Sequence, residues 1–206
     1  MKYKTFIFDL DGTLIDTENA VLKTWQYTLN EYGYNASMEK IRVVLGVTTE
    51  IGLQRLGVKA DDNYGSNWQK NYEKFAKDCD YFTGAKEMLM KLKSLGCILG
   101  AVSSRCKKEY EMYFNNFDFD ILFDYVILEE DTIKHKPEPE PLLKFLEISN
   151  SNPKESIYIG DMPSDVQCAN NAGITSAFVK WNGSNVDAID ADFVFKSTSE
   201  VIDLAL

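Results

Sequence analysis

Short apolar segments recur along the chain and alternate with longer segments of helical period. The apolar segments are rich in β-branched and aromatic residues, which favour strands. They are Thr5–Phe8, Cys97–Val102, Tyr125–Leu128, Ser156–Ile159, Ser176–Val179 and Phe193–Phe195. Helices are predicted between most of them, at Ala85–Leu95, Lys107–Phe114, Pro139–Leu146 and Val166–Ala172. Because strands that alternate with helices form right-handed βαβ units, the pattern predicts an α/β fold with a parallel sheet covered by helices on both faces.

Residues 17–80 interrupt this alternation. They contain no convincing strand, and glycines divide them into helical patterns at Ala20–Tyr32, Met38–Leu45, Thr49–Leu56 and Trp68–Lys77. We therefore predict a small all-helical cap domain at 17–80, inserted after the first strand into a Rossmann-like core made of 1–16 and 81–206. An insert at this place could act as a lid over the strand ends.

Polar residues follow each of the first four predicted strands of the core. The first strand ends in Asp9-Leu10-Asp11-Gly12, the second in Ser103-Ser104-Arg105, and Lys136 lies in the loop after the third. The fourth ends in Gly160-Asp161, with Asp165 in the first turn of the next helix. Because ligands of open parallel sheets bind at the carboxyl ends of the strands, we expect these side chains to converge on one site.

The convergence of four carboxylates predicts a divalent cation. Without one, the like charges would repel strongly in a site shielded from water. Oxygen ligands suit Mg²⁺, and Asp9 and Asp161 are the candidate side-chain ligands. Asp9 and Asp11 are two residues apart, so in extended backbone both side chains fall on the same side. Asp165 has two interpretations: it orients Lys136 or the waters of the metal, or it complements the helix dipole.

The remaining polar residues at this edge fit a bound phosphate. Lys136 supplies a compact positive charge, and Ser103 and Ser104 offer hydroxyl and N–H donors. Gly12 allows a ligand to approach the backbone closely. We expect Arg105 to be a surface charge at a helix start rather than a substrate-binding residue, and Asp16 to be a turn or N-cap residue.

Composition excludes several other classes of function. The 206 residues carry a net charge of −10, which disfavours binding to nucleic acid. No apolar stretch approaches the length of a membrane helix, no signal peptide is recognisable, and the four cysteines lack a metal-ligand spacing. We expect a cytoplasmic protein with free thiols, a monomer or weak homodimer, whose partner is neither nucleic acid nor membrane but a small phosphorylated metabolite.

Four stretches of the sequence together resemble one family. They are DLDGTLIDT (Asp9–Thr17), the strand-terminal Ser103, KPEP (Lys136–Pro139) and GDMPSD (Gly160–Asp165). In order and spacing they resemble the four motifs of the haloacid dehalogenase-like hydrolase superfamily, over essentially the whole chain. The helical insert is similar to the alpha-helical cap of its phosphoglycolate-phosphatase and beta-phosphoglucomutase-like branch.

The resemblance implies a role for each matching residue. Asp9 would be the nucleophile that forms an aspartyl-phosphate, and Asp11 the general acid and then the general base. Mg²⁺ would be held by Asp9, the Asp11 backbone carbonyl and Asp161, with Asp165 in support. Ser103 and Lys136 would hold the phosphoryl group, helped by the backbone amides of Ser104 and Gly12.

Departures from the pattern of the superfamily favour hydrolysis of a small phosphate monoester. Its dehalogenases typically have tyrosine where this chain has Asp11, and its mutases have histidine and arginine where this chain has Val21 and Thr49. A Mg²⁺-dependent phosphatase is thus the leading hypothesis, and a sugar-phosphate mutase is the disfavoured alternative. Substrate choice would depend on the cap, at Gly46, Thr48, Thr49 and Arg55.

A phospho-receiver-like protein without turnover is the alternative from another class. Such domains also combine a phosphorylated aspartate, an acid-bound Mg²⁺, a hydroxyl residue and a lysine. They are about 120 residues long and lack a helical insert after the first strand, so the sequence speaks against this assignment.

Overall fold

The structure is a computed structural model that describes residues 2–113, 117–184 and 190–206. Its strands are β1 (Thr5–Phe8), β2 (Ile15–Asp16), β3 (Asp80–Tyr81), β4 (Ile98–Val102), β5 (Tyr125–Ile127), β6 (Ser156–Gly160), β7 (Thr175–Val179) and β8 (Phe193–Phe195). Its helices are α1 (Glu18–Glu31), α2 (Met38–Ile41), α3 (Thr49–Leu56), α4 (Tyr64–Tyr72), α5 (Ala85–Ser94), α6 (Lys107–Tyr113), α7 (Phe119–Leu122), α8 (Glu140–Ser149), α9 (Pro163–Ala172) and α10 (Thr198–Asp203). Among the described helices, none is both long enough and apolar enough to cross a membrane.

A parallel sheet of six strands in the order β5-β4-β1-β6-β7-β8 forms the centre of the fold. Strand β1 lies in its middle, where Phe8 pairs with Ala101 of β4 on one side and with Ile159 of β6 on the other. The predicted α/β fold is therefore confirmed, with strand ends within one residue of those expected. Phe114, which the sequence assigns to the end of α6, lies outside the described residues.

Helices cover both faces of this sheet. Ile7 belongs to a buried cluster with Leu142 and Phe145 of α8 and with Cys168 of α9. Helices α5 and α10 pack against each other, and α5 also contacts β4, the same strand that α8 contacts. Because side chains alternate along a strand and all four residues of β1 are buried, both faces of the sheet are covered there.

Local sequence explains why α9 begins and ends where it does. Pro163 occupies the first helical turn, where the N–H that it lacks would have no partner. The Asp165 carboxylate accepts a hydrogen bond from the Met162 N–H at 2.9 Å, which completes the start. At the other end Gly173 has φ +71°, the left-handed conformation that closes a helix. The predicted end at Ala172 and the position of Asp165 in the first turn are correct, whereas the helix begins three residues before the predicted Val166.

The chain divides into two compact units, Met1–Ile15 with Tyr81–Leu206, and Asp16–Asp80. The second unit contains α1 to α4, and aromatic side chains fill the space between α1 and α4, with Trp25 5.6 Å from Tyr64 and 6.4 Å from Trp68 between ring centroids. Thr17 is the N-cap residue of α1, whereas Asp16 is exposed in β2. Asp16 is therefore neither the turn residue nor the N-cap residue that we expected.

Candidate active site

The loop that follows β1 carries Asp9 and Asp11. The N–H of Asp9 donates to the carbonyl oxygen of Ile159 at 2.9 Å, which continues the pairing with β6 beyond the end of β1. The Asp9 side chain is almost completely buried, Leu10 is fully buried, and Asp11 is partly exposed. The pairing therefore fixes Asp9 at the edge of the sheet and leaves Asp11 closer to solvent.

Gly12 allows this loop to approach the loop after β6. Its φ of +76° favours glycine, and a Cβ atom placed on it would lie 2.3 Å from Oδ2 of Asp161. Its N–H, which we expected to face a phosphate, donates to the carbonyl oxygen of Ile15 at 2.9 Å. Because Gly12 has no side chain, it leaves the space that the Asp161 carboxylate occupies.

Asp161 and Asp165 come from the end of β6 and the start of α9. The Asp161 carboxylate accepts hydrogen bonds from Oγ1 of Thr13 and from Nδ2 of Asn182, each at 3.2 Å. Asp165 is 1% exposed. A Cβ atom on Gly160 would lie 2.4 Å from the Asp165 carboxyl carbon, so glycine leaves the room that the Asp165 side chain occupies.

Lys136 joins these two strand ends through its ammonium group. Its Nζ donates to Oδ1 of Asp9 at 2.8 Å, to Oδ1 of Asp165 at 2.7 Å and to the hydroxyl of Tyr158 at 3.1 Å. An ammonium has three N–H donors, so these three acceptors satisfy all of them. Lys136 is itself 7% exposed, so these bonds hold a buried cation in one position.

The end of β4 places Ser103 and Ser104 at the same edge of the sheet. The Ser103 N–H donates to the carbonyl oxygen of Ile127 at 3.0 Å, in continuation of the sheet, and its Oγ accepts from the Arg105 N–H at 3.2 Å. The hydroxyl hydrogen of Ser103 can still be donated, because a hydroxyl both donates and accepts. Ser104 is partly exposed.

Arg105 is not the surface charge that we expected. It is 7% exposed, and it binds the Asp11 carboxylate through two hydrogen bonds, from Nε to Oδ2 at 3.0 Å and from Nη2 to Oδ1 at 2.8 Å. Its Nη1 also lies 3.7 Å from Oε2 of Glu109. Its partner Asp11 lies 94 residues earlier in the chain, in the loop after β1. The spacing of residues in the sequence does not reveal such a pair.

Burial and mutual repulsion raise the pKa values of Asp9 and Asp161. Burial raises the pKa of Asp9 to about 7, against the effect of Lys136 and with the help of Asp165 and Asp11. Burial, and then the charges of Asp9 and Asp165, raise the pKa of Asp161 well above its usual value. Burial lowers the pKa of Lys136, but Asp165 and Asp9 outweigh it and raise that pKa.

The arrangement fits a divalent cation. One carboxylate oxygen from each of Asp9, Asp161 and Asp165 lies within 4.8 Å of the others. These three carboxylates and the Lys136 ammonium leave two formal negative charges, which one divalent ion neutralises. An all-oxygen set with few protein ligands suits Mg²⁺, which keeps several waters and shares oxygens of a phosphate.

The four cap candidates belong to the second unit and surround the start and end of α3. Thr48 is its N-cap residue, with Oγ1 accepting from the Ile51 N–H at 3.5 Å, and Thr49 begins the helix. Arg55 donates from Nη1 to the carbonyl oxygen of Val43 at 3.0 Å. Gly46 has φ +70°, which glycine accommodates without strain.

The sequence did not point to three residues that contact this site. Tyr158 lies on β6, and the sequence indicates only that it belongs to a hydrophobic strand. Its hydroxyl nevertheless accepts a hydrogen bond from Lys136 and donates one to the carbonyl oxygen of Val102 at 3.0 Å. In the sequence, Trp181 and Asn182 indicate an ordinary turn. In the structure, Trp181 donates a hydrogen bond to the carbonyl oxygen of Thr13 and Asn182 donates one to that of Gly12, each at 2.9 Å. A buried strand tyrosine, whose hydroxyl needs a partner, was the one available signal.

Comparison with known proteins supports the family suggested by the motifs. A family model described as "Haloacid dehalogenase-like hydrolase" matches residues 6–179. The chain is 34% identical over 190 residues to a protein of Caldanaerobacter subterraneus subsp. tengcongensis named "Putative pyrophosphatase PpaX", covering 88% of this chain and 84% of that protein. It is 30% identical over 211 residues to "Pyrophosphatase PpaX" of Bacillus cereus, and the match covers 98% of this chain and 96% of that protein.

A solved structure agrees with this assignment. The crystal structure titled "putative phosphoglycolate phosphatase" from Lactobacillus plantarum superimposes with a TM-score of 0.91 at 26% identity, and the match covers 99% of this chain and 100% of that one. Fold, motifs and the family model thus lead to one conclusion: the chain belongs to the haloacid dehalogenase-like hydrolase family.

Proposed function

We propose that this protein is a Mg²⁺-dependent phosphatase that hydrolyses a small phosphate monoester through an aspartyl-phosphate. The observation that carries the proposal is the buried cluster at the carboxyl ends of β1 and β6, where Lys136 bridges Asp9 and Asp165 at 2.8 and 2.7 Å. A nucleophilic carboxylate, a fixed cation and an oxygen-rich metal site are the groups that phosphoryl transfer requires.

In the first step an oxygen of Asp9 forms a bond to phosphorus. The bond from phosphorus to the leaving oxygen breaks, its electron pair stays on that oxygen, and Asp11 supplies the proton. In the second step Asp11 takes a proton from water, whose oxygen attacks the same phosphorus. The bond to Asp9 then breaks, which releases inorganic phosphate and restores the carboxylate.

The surrounding residues position and neutralise the group being transferred. Asp9, the backbone carbonyl of Asp11 and Asp161 would hold Mg²⁺, with Asp165 in support. The bound ion supplies positive charge next to the phosphoryl oxygens. Lys136 adds a second positive charge, and Ser103, with Ser104 beside it, donates hydrogen bonds to those oxygens.

Substrate choice is assigned to the cap, at Gly46, Thr48, Thr49 and Arg55. Val21 is a buried apolar residue of α1, so the chain has no histidine there for the chemistry of a mutase. One relative is named a pyrophosphatase, and one similar solved structure is titled a phosphoglycolate phosphatase. We therefore propose a panel of pyrophosphate, phosphoglycolate, sugar phosphates and nucleotides, with phosphate release as the measurement.

The Asp9→Asn variant tests the proposal. Replacing the nucleophile should lower kcat for 4-nitrophenyl phosphate in Mg²⁺ by roughly 10³-fold or more, since amide nitrogen and oxygen form no aspartyl-phosphate. Asp203→Asn makes the same change at an exposed position of α10 and should retain full activity. Full activity of Asp9→Asn would overturn the assignment of the nucleophile, and activity that survives a chelator would overturn the requirement for Mg²⁺.

A further inference from the structure

Tyr158 contributes one polar atom to the apolar part of β6, and that atom lies in the candidate active site. Its ring belongs to the buried cluster that also contains Ile7 and Phe145, and the residue is 1% exposed. Phenylalanine would fill nearly the same space, and burying a hydroxyl costs free energy unless the hydroxyl is hydrogen-bonded. The hydroxyl is therefore the one feature that tyrosine adds at this position.

This hydroxyl reaches across β1 to the end of β4. Tyr158 is paired with Ile7 of β1, which is paired on its other side with Gly100 of β4. The hydroxyl donates to the carbonyl oxygen of Val102 at 3.0 Å. Val102 directly precedes Ser103, which is proposed to donate a hydrogen bond to the phosphoryl group. The hydroxyl is thus fixed relative to two strand ends, because its own strand is β6 and its acceptor lies on β4.

The oxygen of the same hydroxyl accepts a hydrogen bond from Lys136. Nζ donates to it at 3.1 Å, to Oδ1 of Asp165 at 2.7 Å and to Oδ1 of Asp9 at 2.8 Å. Asp165 is held in turn by the Met162 N–H, which donates to its Oδ2 at 2.9 Å. Two of the three N–H groups of the ammonium therefore bind anchored acceptors, and the third points at the proposed nucleophile.

The direction of that third N–H matters for phosphoryl transfer. When an oxygen of Asp9 bonds to phosphorus, Asp9 loses its negative charge, and the phosphoryl oxygens become the anionic acceptors next to it. The N–H that faces Asp9 can turn to these oxygens, while the bonds to Asp165 and Tyr158 keep the ammonium in place. Without the hydroxyl, the ammonium would lose one of its two anchors and retain an N–H without an acceptor. It would then be less well placed for the group that is transferred.

We propose that Tyr158 is a positioning residue for Lys136, whose ammonium it holds so that one N–H serves the nucleophile and the phosphoryl group under attack. This inference rests on the proposed function. Because Tyr158 acts through Lys136, loss of its hydroxyl should destabilise the transition state more than the complex with a phosphate ester.

The test compares Tyr158→Phe with Tyr3→Phe. Phenylalanine at 158 keeps the ring, whose centroid lies 5.8 Å from Nζ of Lys136, and removes only the hydroxyl. For Tyr158→Phe we expect kcat for 4-nitrophenyl phosphate in Mg²⁺ to fall about 10-fold, while KM changes less than about twofold. Orthovanadate, which imitates five-coordinate phosphorus, should inhibit this variant about 10-fold less strongly, whereas inhibition by inorganic phosphate should stay nearly the same.

Tyr3→Phe makes the matched change at the opposite edge of the sheet. Tyr3 is also 1% exposed, and its hydroxyl accepts from Oγ1 of Thr175, the first residue of β7, at 3.3 Å. Tyr3 precedes β1, whereas the candidate active site follows it. Removing this buried hydroxyl should therefore change neither kcat nor inhibition by vanadate or phosphate. Thermal unfolding of both variants shows whether each is folded.

Four results would overturn the proposal. They are an unchanged kcat of Tyr158→Phe, a raised KM at unchanged kcat, an equal weakening of inhibition by vanadate and by phosphate, and a failure of this variant to fold. The last result would give the hydroxyl a purely structural role. Asp9→Asn, assayed in parallel, separates this inference from the proposed function. If Asp9→Asn is inactive while Tyr158→Phe matches the unaltered protein, the role of Tyr158 alone is wrong, whereas an active Asp9→Asn would overturn the function as well.

Discussion

At the scale of single residues, Asn182 connects the two loops that carry the proposed metal ligands. Its Nδ2 donates to the carbonyl oxygen of Gly12 at 2.9 Å and to Oδ2 of Asp161 at 3.2 Å. Partners that orient a metal ligand contribute to metal affinity without touching the ion. We therefore predict that Asn182→Ala raises the Mg²⁺ concentration needed for half-maximal activity by roughly 10- to 100-fold.

Asn170→Ala is the control for this prediction. Asn170 is exposed on α9 and donates to the carbonyl oxygen of Asp190 at 3.1 Å. Its removal should leave the Mg²⁺ dependence as it is in the unaltered protein. An unchanged Mg²⁺ dependence of Asn182→Ala would mean that Thr13 alone suffices to orient Asp161.

The residues that sequence could identify are those that directly follow a strand or begin a helix. Asp9, Ser103 and Asp161 were found in this way, because a strand end in a parallel sheet has a known location in the fold. Arg105 and Asn182 form hydrogen bonds with partners that are 94 and 21 residues away in the chain. Such a partner is set by how the loops meet, which neither spacing nor residue type predicts.

At the scale of elements, the contact between β4 and α8 depends on the absence of a side chain at Gly100. A Cβ atom there would lie 1.9 Å from Cε2 of Phe145, which is fully buried on α8. Neither the strand, hydrogen-bonded on both sides, nor the buried ring has room to move. We predict that Gly100→Ala lowers the free energy of unfolding by about 2–3 kcal/mol, measured by urea denaturation.

Gly65→Ala provides the opposite case. Gly65 lies within α4, and a Cβ atom on it meets nothing within 4 Å. Alanine should therefore stabilise this helix by about 0.5–1 kcal/mol, because it restricts the unfolded chain and favours the helix. If Gly100→Ala were as harmless as Gly65→Ala, β4 and α8 would pack less tightly than the distances indicate.

The elements that form the core were predictable because each carries its own period. After a first one or two polar residues, the strands β1, β6 and β7 are apolar runs, as expected for strands buried on both faces. By contrast β2 and β3 have two residues each and α7 has four, too few for a period to show. Their existence depends on tertiary pairing rather than on local sequence.

At the scale of the whole molecule, the sheet order explains why distant segments form one site. Strand β1 lies between β4 and β6, so the loop after it adjoins the ends of strands that begin 93 and 151 residues after Thr5, at Ile98 and Ser156. The cap sequence is inserted between β1 and β4 without altering this order. Topology therefore brings the charges together, and the resulting repulsion has consequences for stability.

Burial and the repulsion between the carboxylates together predict that Mg²⁺ stabilises the protein more at high pH than at low pH. The pKa of Asp9 is about 7 in the folded protein, above its usual value of 3.8. Between these values Asp9 binds more protons in the folded protein than in the unfolded chain, so without metal its contribution to the free energy of unfolding decreases as pH rises through this interval. Below pH 7 a cation must also displace the proton of Asp9, which weakens binding by about tenfold per pH unit.

We therefore expect saturation with Mg²⁺ at pH 8 to raise Tm more than the same Mg²⁺ concentration does at pH 5.5. Asp161→Asn, which removes a proposed ligand, should abolish most of the Mg²⁺ effect at both pH values. An equal or larger rise of Tm at pH 5.5 would show that Asp9 is already ionised there. The Lys136 ammonium, held 2.8 Å from Asp9, would then be the stronger influence on this carboxyl, and burial the weaker one.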